Sequence, residues 1–501
     1  MIEDKIGAGQ GDAPAFITES RIWSYSETAC LIEKVSDGLA AEGIRKGDRV
    51  ILALPDSIEF VASFFAVIQI GAVAVPINIY QSRDDYDHIL RRILPKLVLT
   101  HHFSAQFNAA LRLNTATSDF RTIFVSDPTS VWHQWIRERP TAKKIVAPSE
   151  NDIAFLLWTS GTTGMSIPVP HRQSDCEVCC RNYASSILAV TPHDVFLSTS
   201  RMFHAYGLGN SVLFPLFAGA RSVLIPEKPT PKATFRIAQE MNATILFSVP
   251  TFYSMMIELA DRGEAPVLPH LRLSVSAAEP LASKAVARWK ALFGVEILDG
   301  FGSTEALHIY LSARSGEIIP GSVGKPVPGY QIQLRTDSGV ASVGEVGTLW
   351  LQGGSIAQSY WNEPAATMRS MVDGWFITGD KFYQDDLGYF YFMGRADSMF
   401  RISGKWVSAI EIEAVMGEHP SVKEISVVGY LDDDGFSRLC AFVVTYENRH
   451  DTDALETQLR GLAEQKLPLW KRPTEFKFIE ALPRTATGKV QRFLLKSITF
   501  Q

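Results

Sequence analysis

The chain has 501 residues, too many for one hydrophobic core, so two or more domains are expected. Its 46% hydrophobic and 20% charged content is that of a soluble globular protein, and a formal charge of −6 supplies no general basic field for nucleic acid. Five cysteines, an odd and sparse set, suit a reducing cytoplasm, and the start Met1-Ile2-Glu3-Asp4-Lys5 lacks the basic and apolar regions of a signal peptide.

In chain order, helical spacing over 26–42 ends at Gly43, and 48–54 reads as a buried strand. The most membrane-like stretch, 60–77, is interrupted by Gln69 and Gly71 and ends near Pro76. A buried helix over 59–70 feeding a strand over 72–75 accounts for it, so no membrane span is expected. Short strands follow at 97–100 and 122–125, and strands alternating with helices predict a layered α/β domain with a largely parallel sheet.

A buried strand at 153–157 leads into Trp158-Thr159-Ser160-Gly161-Thr162-Thr163-Gly164, with four hydroxyl residues and two glycines in its last six positions. Glycines let successive N–H groups converge and hydroxyls add neutral donors, so the loop suits an anion, a polyphosphate first of all. It is not the P-loop NTPase pattern, because no Gly-Lys-Ser/Thr closes it, and taken alone a surface turn explains it equally well. A helix over 173–188 is expected to face the anion with its N-terminus. Cys176, Cys179 and Cys180 cluster there near His171, but no second pair completes a tetrahedral zinc site, so buried thiols are expected and no metal.

A strand at 195–198, an aromatic glycine-rich turn at 202–209 and a helix over 210–217 follow. Strands at 220–225 and 244–249 flank a helix. A strand at 273–276 leads to Ala277-Ala278-Glu279-Pro280, and one at 295–298 to Asp299-Gly300-Phe301-Gly302-Ser303-Thr304-Glu305. From about 321 glycine and valine dominate, with alternation over 331–334 and 347–351, as in a small barrel or antiparallel sheet that ends with 390–393. Residues 394–501 read as a separate small α+β domain, with helices over 411–418 and 452–466 and strands over 426–431 and 441–445. Gly394-Arg395-Ala396-Asp397 is the expected linker.

Ligands of open α/β sheets gather at the carboxyl ends of strands, where the loops 158–164, 277–280 and 299–305 are expected. Phe301 suits base stacking, Thr304 a phosphate, and Glu305 Mg²⁺, which takes a carboxylate together with phosphate oxygens. Asp380 ends Trp375-Phe376-Ile377-Thr378-Gly379-Asp380 after a tight turn and suits ribose hydroxyls, with Arg395 as a nearby cation. Lys489 lies in Pro483-Arg484-Thr485-Ala486-Thr487-Gly488-Lys489 and suits developing negative charge. Singly, each has an ordinary explanation: a helix-start acid, a turn aspartate, a surface arginine, a solvated basic tail.

Together their order and spacing resemble the ANL superfamily of adenylate-forming enzymes, from about residue 20 to 495. The motifs are Thr159 to Gly164, Gly302-Ser303-Thr304-Glu305, Thr378-Gly379-Asp380, Gly394-Arg395-Ala396-Asp397 and the segment ending at Lys489. Three stretches resemble the benzoate-CoA ligase branch in particular. They are 299–309, Phe203-His204-Ala205-Tyr206-Gly207 and Gly324-Lys325-Pro326-Val327-Pro328-Gly329-Tyr330.

The resemblance implies an α/β fold: a large N-terminal domain of layered α/β subdomains with a small β-rich subdomain, and a small mobile α+β C-terminal domain. Residues 1–393 would form the adenylate-forming domain, 394–397 the hinge, and 398–501 the lid. It implies that Thr159, Ser160, Gly161, Thr162, Thr163 and Gly164 hold the ATP phosphates, and that Ala278, Glu279, Pro280, Asp299, Gly300 and Phe301 line the adenine side, beside Gly302 and Ser303. Thr304 would contact phosphate, Glu305 would bind Mg²⁺, and Asp380 and Arg395 would bind ribose. Asp397 would be the pivot, and Lys489 would serve adenylation, with His204 counted among the catalytic residues. Ser403, Gly404, Lys405 and Trp406 would line the pantetheine channel. Phe203, Ala205, Tyr206, Gly302, His308 and Ile309 would line an aryl pocket.

The implied reaction is acid–thiol ligation by an AMP-forming aryl-CoA synthetase using ATP, Mg²⁺ and coenzyme A on a small aromatic acid (benzoate, a hydroxybenzoate or anthranilate). An acyl carrier protein is the alternative acceptor, a ligand-binding homologue without turnover is the alternative class, and dimerisation is common among relatives. One departure stands out. Met165-Ser166-Ile167-Pro168-Val169-Pro170-His171 replaces the usual Pro-Lys-Gly region, with Ile167 where lysine is expected.

Overall fold

Apolar periodicity explains most of the architecture. The computed structural model describes residues 1–101, 105–115, 120–138, 149–159, 166–395, 399–402, 405–432, 437–446, 452–484 and 490–499. They form two compact units, Met1–Gln331 with Gln352–Phe376, and Ile332–Leu351 with Ile377–Gln501.

In the first unit, parallel strands Arg121–Phe124, Leu97–Thr100, Arg49–Ala53, Val73–Pro76 and Ile153–Trp158 lie side by side, and Pro168–Arg172 pairs antiparallel at the edge. Leu97–Thr100 and Val73–Pro76 are buried at every position, as strands covered on both faces must be. Helix Arg83–Ile93 begins at a reciprocal cap between Ser82 and Asp85 and buries Tyr86, Ile89, Leu90 and Ile93, one face of a 3.6-residue period. Helix Ile58–Gln69 is apolar almost all round because it is buried, and it feeds Val73–Pro76. No described helix is long and apolar enough to cross a membrane.

The other sheet of this unit holds six parallel strands in the order Ile297–Gly302, Leu273–Ala277, Ile245–Ser248, Val195–Ser198, Arg221–Val223 and Pro14–Ile17. Antiparallel strands flank them, Ile309–Ser312 and Lys325–Pro326 on one side and Ile22–Ser24 on the other. Helix Ser283–Phe293 presents Trp289 to Tyr253 and Phe235 within one buried cluster. Burying each such large side chain contributes about 1.5–3 kcal/mol. This core holds rigid the strand ends that follow.

In the second unit, the β-rich segment forms a sheet in which Tyr330–Thr336 pairs antiparallel with Gly339–Val340, and Trp375–Gln384 with Phe390–Arg395. Further on, Val422–Leu431 and Ser437–Thr445 pair antiparallel, and Glu475–Phe478 runs parallel to the second of them. Helices Ala409–Met416 and Thr452–Lys466 bury Ile412, Met416, Leu455 and Leu459 in the same cluster as Val427, Ala441 and Val443.

Five expectations change. The helix after the hydroxyl loop does not point its N-terminus at that loop. Pro168–Arg172 intervenes as a return strand, with Trp158 opposite Pro168 and Ile153 opposite Arg172. Helix Gln173–Cys179 therefore starts at the far end of the hairpin, roughly 15 Å away at about 3.4 Å per residue. Two prolines hid the strand, and its edge position tolerates their missing N–H groups. The helix also ends earlier as an α-helix and continues as a π-helical turn, Cys180–Ser185. The segment 202–209 is not all turn, because helix starts at Ala205 and passes through a π-helical turn, Gly209–Leu213. Residues 299–302 belong to strand Ile297–Gly302, and 375–380 to strand Trp375–Gln384, where Gly379 adopts φ +75° inside the strand instead of closing a turn.

Candidate active site

The parallel strands Leu273–Ala277 and Ile297–Gly302 run in register, with Ala277 opposite Gly300, so their carboxyl ends deliver two loops side by side. Ala278 turns away from its strand at φ +79°, a left-handed conformation that costs an alanine about 1–3 kcal/mol and recurs at ligand sites. The next residue, Glu279, accepts a hydrogen bond from Thr251 Oγ1 at 2.7 Å. On the neighbouring strand Phe301 stands edge-on to Tyr310, centroids 5.9 Å apart. Gly302 is obligatory in physical terms: a Cβ there would fall 2.4 Å from the His308 carbonyl oxygen.

Among the described residues no cation stands beside Asp299, and burial pushes its carboxyl up to about 8 despite the Gly300 N–H. Its folded value lies above the ordinary 3.8, so its favourable contribution is present below about pH 4 and is lost as pH rises through 8. Asp299→Asn is therefore expected to flatten the fall of melting temperature between pH 6 and 9. Equal slopes for variant and wild type would refute that placement of the proton.

After Gly302 the chain turns through Thr304, Glu305 and Leu307, the last at φ +70°. His171 Nε2 donates to the Thr304 carbonyl at 2.8 Å, and the His171 ring stacks on Phe155 at 5.3 Å. Glu305 is buried, and Tyr360 donates its hydroxyl proton to Oε1 at 2.7 Å. The same strap binds on both sides: Ala357 N–H donates to the Glu305 carbonyl at 2.8 Å, and Trp361 N–H to the Pro168 carbonyl at 3.0 Å. It thus ties Glu305 to the neck of the hydroxyl loop. There Thr159 N–H donates to the Ile167 carbonyl and Ile167 N–H to Thr159 Oγ1, both at 3.0 Å. Ile167 closes the neck through its backbone, which any side chain but that of proline would leave intact. Ser160, Gly161, Thr162, Thr163 and Gly164 lie outside the described residues.

Of the aryl-pocket candidates, Tyr206 and His308 meet, their rings 5.3 Å apart. Phe203, Ala205 and Ile309 are buried, and Phe203 packs in the core of the sheet that holds Val73–Pro76, with its ring 6.4 Å from that of Tyr80. Tyr206 donates to the carbonyls of Val275 and Ser248, at 3.1 and 3.3 Å, and burial raises its hydroxyl well above the ordinary range. His204 is the cap residue of the helix, its carbonyl accepting from Leu208 N–H at 2.8 Å while its own N–H donates to the Arg201 carbonyl at 3.0 Å, and its ring lies against Phe203 at 4.7 Å. Asp56 anchors this segment, its Oδ1 accepting from Met202 N–H at 3.1 Å with Arg201 Nη1 3.6 Å from Oδ2.

In the second unit Arg395 Nη1 lies 3.3 Å from Asp380 Oδ1, and Thr378 Oγ1 accepts from Asp380 N–H at 3.0 Å. Lys405 and Trp406 belong to strand Lys405–Val407. Asp397, Ser403, Gly404 and Lys489 lie outside the described residues, although Arg484 and Val490, flanking Lys489's segment, form an antiparallel bridge. Cys176, Cys179 and Cys180 are buried, and burial raises their thiols, with Asp175 and each other as lesser causes.

Sequence reading missed three participants. Tyr360 and His171 hold the Glu305 turn, and Thr251 holds Glu279. His171 had been weighed only as a metal ligand. No period or motif marks Tyr360 or Thr251, because each acts across a long sequence gap.

Two family models match the chain, "AMP-binding enzyme" over residues 4–361 and "AMP-binding enzyme C-terminal domain" over residues 411–489. The chain is 34% identical to a benzoate–CoA ligase of Thauera aromatica over 99% of this chain and 95% of that one. It is 35% identical to a 4-hydroxybenzoate–CoA/benzoate–CoA ligase of Rhodopseudomonas palustris, over 100% and 93%. Among solved structures it superposes on an anthranilate CoA ligase in complex with anthranoyl-AMP with a TM-score of 0.91, at 32% identity over 99% of this chain and 96% of the other.

Proposed function

Because the chain belongs to the family of AMP-binding enzymes, we propose that it is an AMP-forming aryl-acid–CoA ligase. A small aromatic carboxylate attacks the α-phosphorus of ATP, pyrophosphate leaves, and the aryl-AMP formed passes its acyl group to the thiol of coenzyme A with release of AMP. The observation that carries this reading is the convergence on Glu305. The strained Ala278 loop, Phe301 and the Glu305 turn stand at adjacent strand ends, and one strap joins Glu305 to the neck of the hydroxyl loop.

The residues' tasks follow from their chemistry. A carboxylate is a poor electrophile, and its attack on a polyanion needs positioning and charge neutralisation rather than a protein nucleophile. The 159–164 loop would hold phosphates, the Ala278–Pro280 and Asp299–Phe301 segments the base, and Asp380 with Arg395 the ribose. Glu305 fits a hard cation: Tyr360 anchors Oε1, and Oε2 takes no hydrogen bond from a described residue. Mg²⁺ held there would supply positive charge to the phosphates. Lys489 would add a mobile cation in the first step. The division into a body at 1–393, a hinge at 394–397 with Asp397 as pivot, and a lid at 398–501 belongs to this proposal, as do the 403–406 segment as thiol channel and a cytoplasmic location. No observation favours a carrier protein over coenzyme A.

The test is AMP release from ATP and Mg²⁺ with benzoate, the hydroxy- and aminobenzoates, cinnamate, acetate and octanoate, with and without coenzyme A. Coenzyme A–dependent turnover confined to aryl acids is the expected result, and turnover only with acetate or octanoate, or with none, overturns it. Ile167→Lys should lower the KM for ATP about twofold to fivefold by adding a charge near the loop neck, at the general worth of a part-exposed ion pair. Unchanged ATP kinetics would show that this position does not face the triphosphate.

A further inference from the structure

Three irregular pieces of backbone converge on His308. The π-helical turn Cys180–Ser185 brings Tyr183, whose ring centroid lies 5.3 Å from that of His308. The π-helical turn Gly209–Leu213 brings Asn210, whose Oδ1 lies 3.0 Å from His308 Nε2. His308 itself follows the left-handed Leu307. π-Turns and strained residues are uncommon, and both recur at functional sites. Gly209 is part of the device, since a Cβ there would fall 2.5 Å from His308 Cδ2.

The three side chains are buried to 0%, 0% and 3% exposure, and among the described residues Tyr183 Oη, Asn210 Nδ2 and His308 Nδ1 have no partner within hydrogen-bond geometry, although Tyr206 adjoins both Asn210 and His308. Ser312, the polar neighbour of Tyr183, gives its own proton to the Ala313 carbonyl and stands outside hydrogen-bond geometry with the phenol. The chemistry of the three atoms is complementary. Because Nε2 donates to Asn210 Oδ1, Nδ1 is a lone-pair acceptor, and burial keeps the ring neutral, its pKa lowered to about 3. Asn210 Nδ2 is a donor, and the Tyr183 hydroxyl is both. The walls around them are aromatic: Phe214 stands edge-on to His308 at 4.5 Å and Tyr206 lies at 5.3 Å. A planar ring suits the walls, and a small group that both donates and accepts suits the polar end.

We infer that Tyr183, Asn210 and His308 read a hydroxyl or amino substituent on the ring, so that the preferred acid is a hydroxy- or amino-substituted aryl carboxylate and not benzoate. This rests on the aryl-CoA ligase reading. An unsubstituted ring would set C–H groups against buried donors and acceptors, and sites built to pair a substrate hydroxyl discriminate strongly against the analogue that lacks it. A buried water bridging the three atoms is the competing account, and it predicts no such preference.

The experiment compares kcat/KM for coenzyme A–dependent AMP release among benzoate, the three hydroxybenzoates, 2- and 4-aminobenzoate, and the fluoro- and methylbenzoates of matching position. The best hydroxy or amino acid should exceed both benzoate and its own fluoro or methyl counterpart at least tenfold. Asn210→Leu and Tyr183→Phe should each shrink that ratio at least fivefold, and the ratio is independent of how much folded enzyme survives. A preference under tenfold, or a ratio that neither variant changes, overturns the inference. Should no aryl acid turn over, the ligase reading fails by itself. Calorimetric binding of the same acids to the wild-type protein then decides the inference by the same order of affinities.

Discussion

Lys489→Ala is expected to slow aryl-AMP formation by about 10²–10³-fold, the usual cost of removing one preorganised charge from a transition state. Thioester formation from supplied aryl-AMP and coenzyme A should stay within a few-fold of wild type. The asymmetry follows from where charge develops. In the first step a carboxylate approaches a triphosphate, so anion meets anion and the bridging oxygen to pyrophosphate gains charge as it leaves. In the second step a thiol attacks a mixed anhydride and AMP leaves with far less accumulated charge. Ile167 occupies the position where relatives are expected to carry lysine. Lys489→Arg should recover only part of the loss, because a planar fork cannot replace a compact ammonium at the same reach. Pyrophosphate exchange reports the first step, and single-turnover thioester formation reports the second. Equal losses in both would refute the assigned role and point to a lid that no longer packs.

Much of this was legible in the sequence because it was local. The strands from Leu97 and Val195 and the helix over 452–466 came from apolar runs and period alone, with bounds that the structure reproduces. The Glu305 turn and the Asp380 and Arg395 positions came from short motifs in order. What stayed hidden was not local. Pro168 and Pro170 disguised an edge strand as a loop, and so the helix after it was aimed at the wrong end of the hairpin. The π-helical turns at Cys180–Ser185 and Gly209–Leu213 have no period of their own, yet they bring Tyr183 and Asn210 to His308. Tyr360 meets Glu305 across 55 residues, a separation at which no pattern in either segment names the other.

The second large effect concerns that pair. Glu305→Gln should lower the rate of adenylation by about 10²–10³-fold, through loss of a charged oxygen that no neighbour replaces. The amide is isosteric and keeps an oxygen for the Tyr360 hydroxyl, so the turn should survive. Two features of the wild-type turn are independent of the carboxylate's charge: His171 on the Thr304 carbonyl, and Ala357 on the Glu305 carbonyl. Melting temperature should therefore change little. The discriminating readout is the Mg²⁺ titration, whose midpoint should rise at least tenfold in the variant, since a neutral amide is a far weaker ligand for a hard cation. Tyr360→Phe provides the graded comparison. It frees Oε1 from its 2.7 Å hydrogen bond without removing charge, so the Mg²⁺ midpoint should move only a few-fold. If Glu305→Gln instead lowered the rate while leaving the Mg²⁺ midpoint untouched, Glu305 would be a positioning residue for the Thr304 turn, and the cation would belong to the phosphates alone.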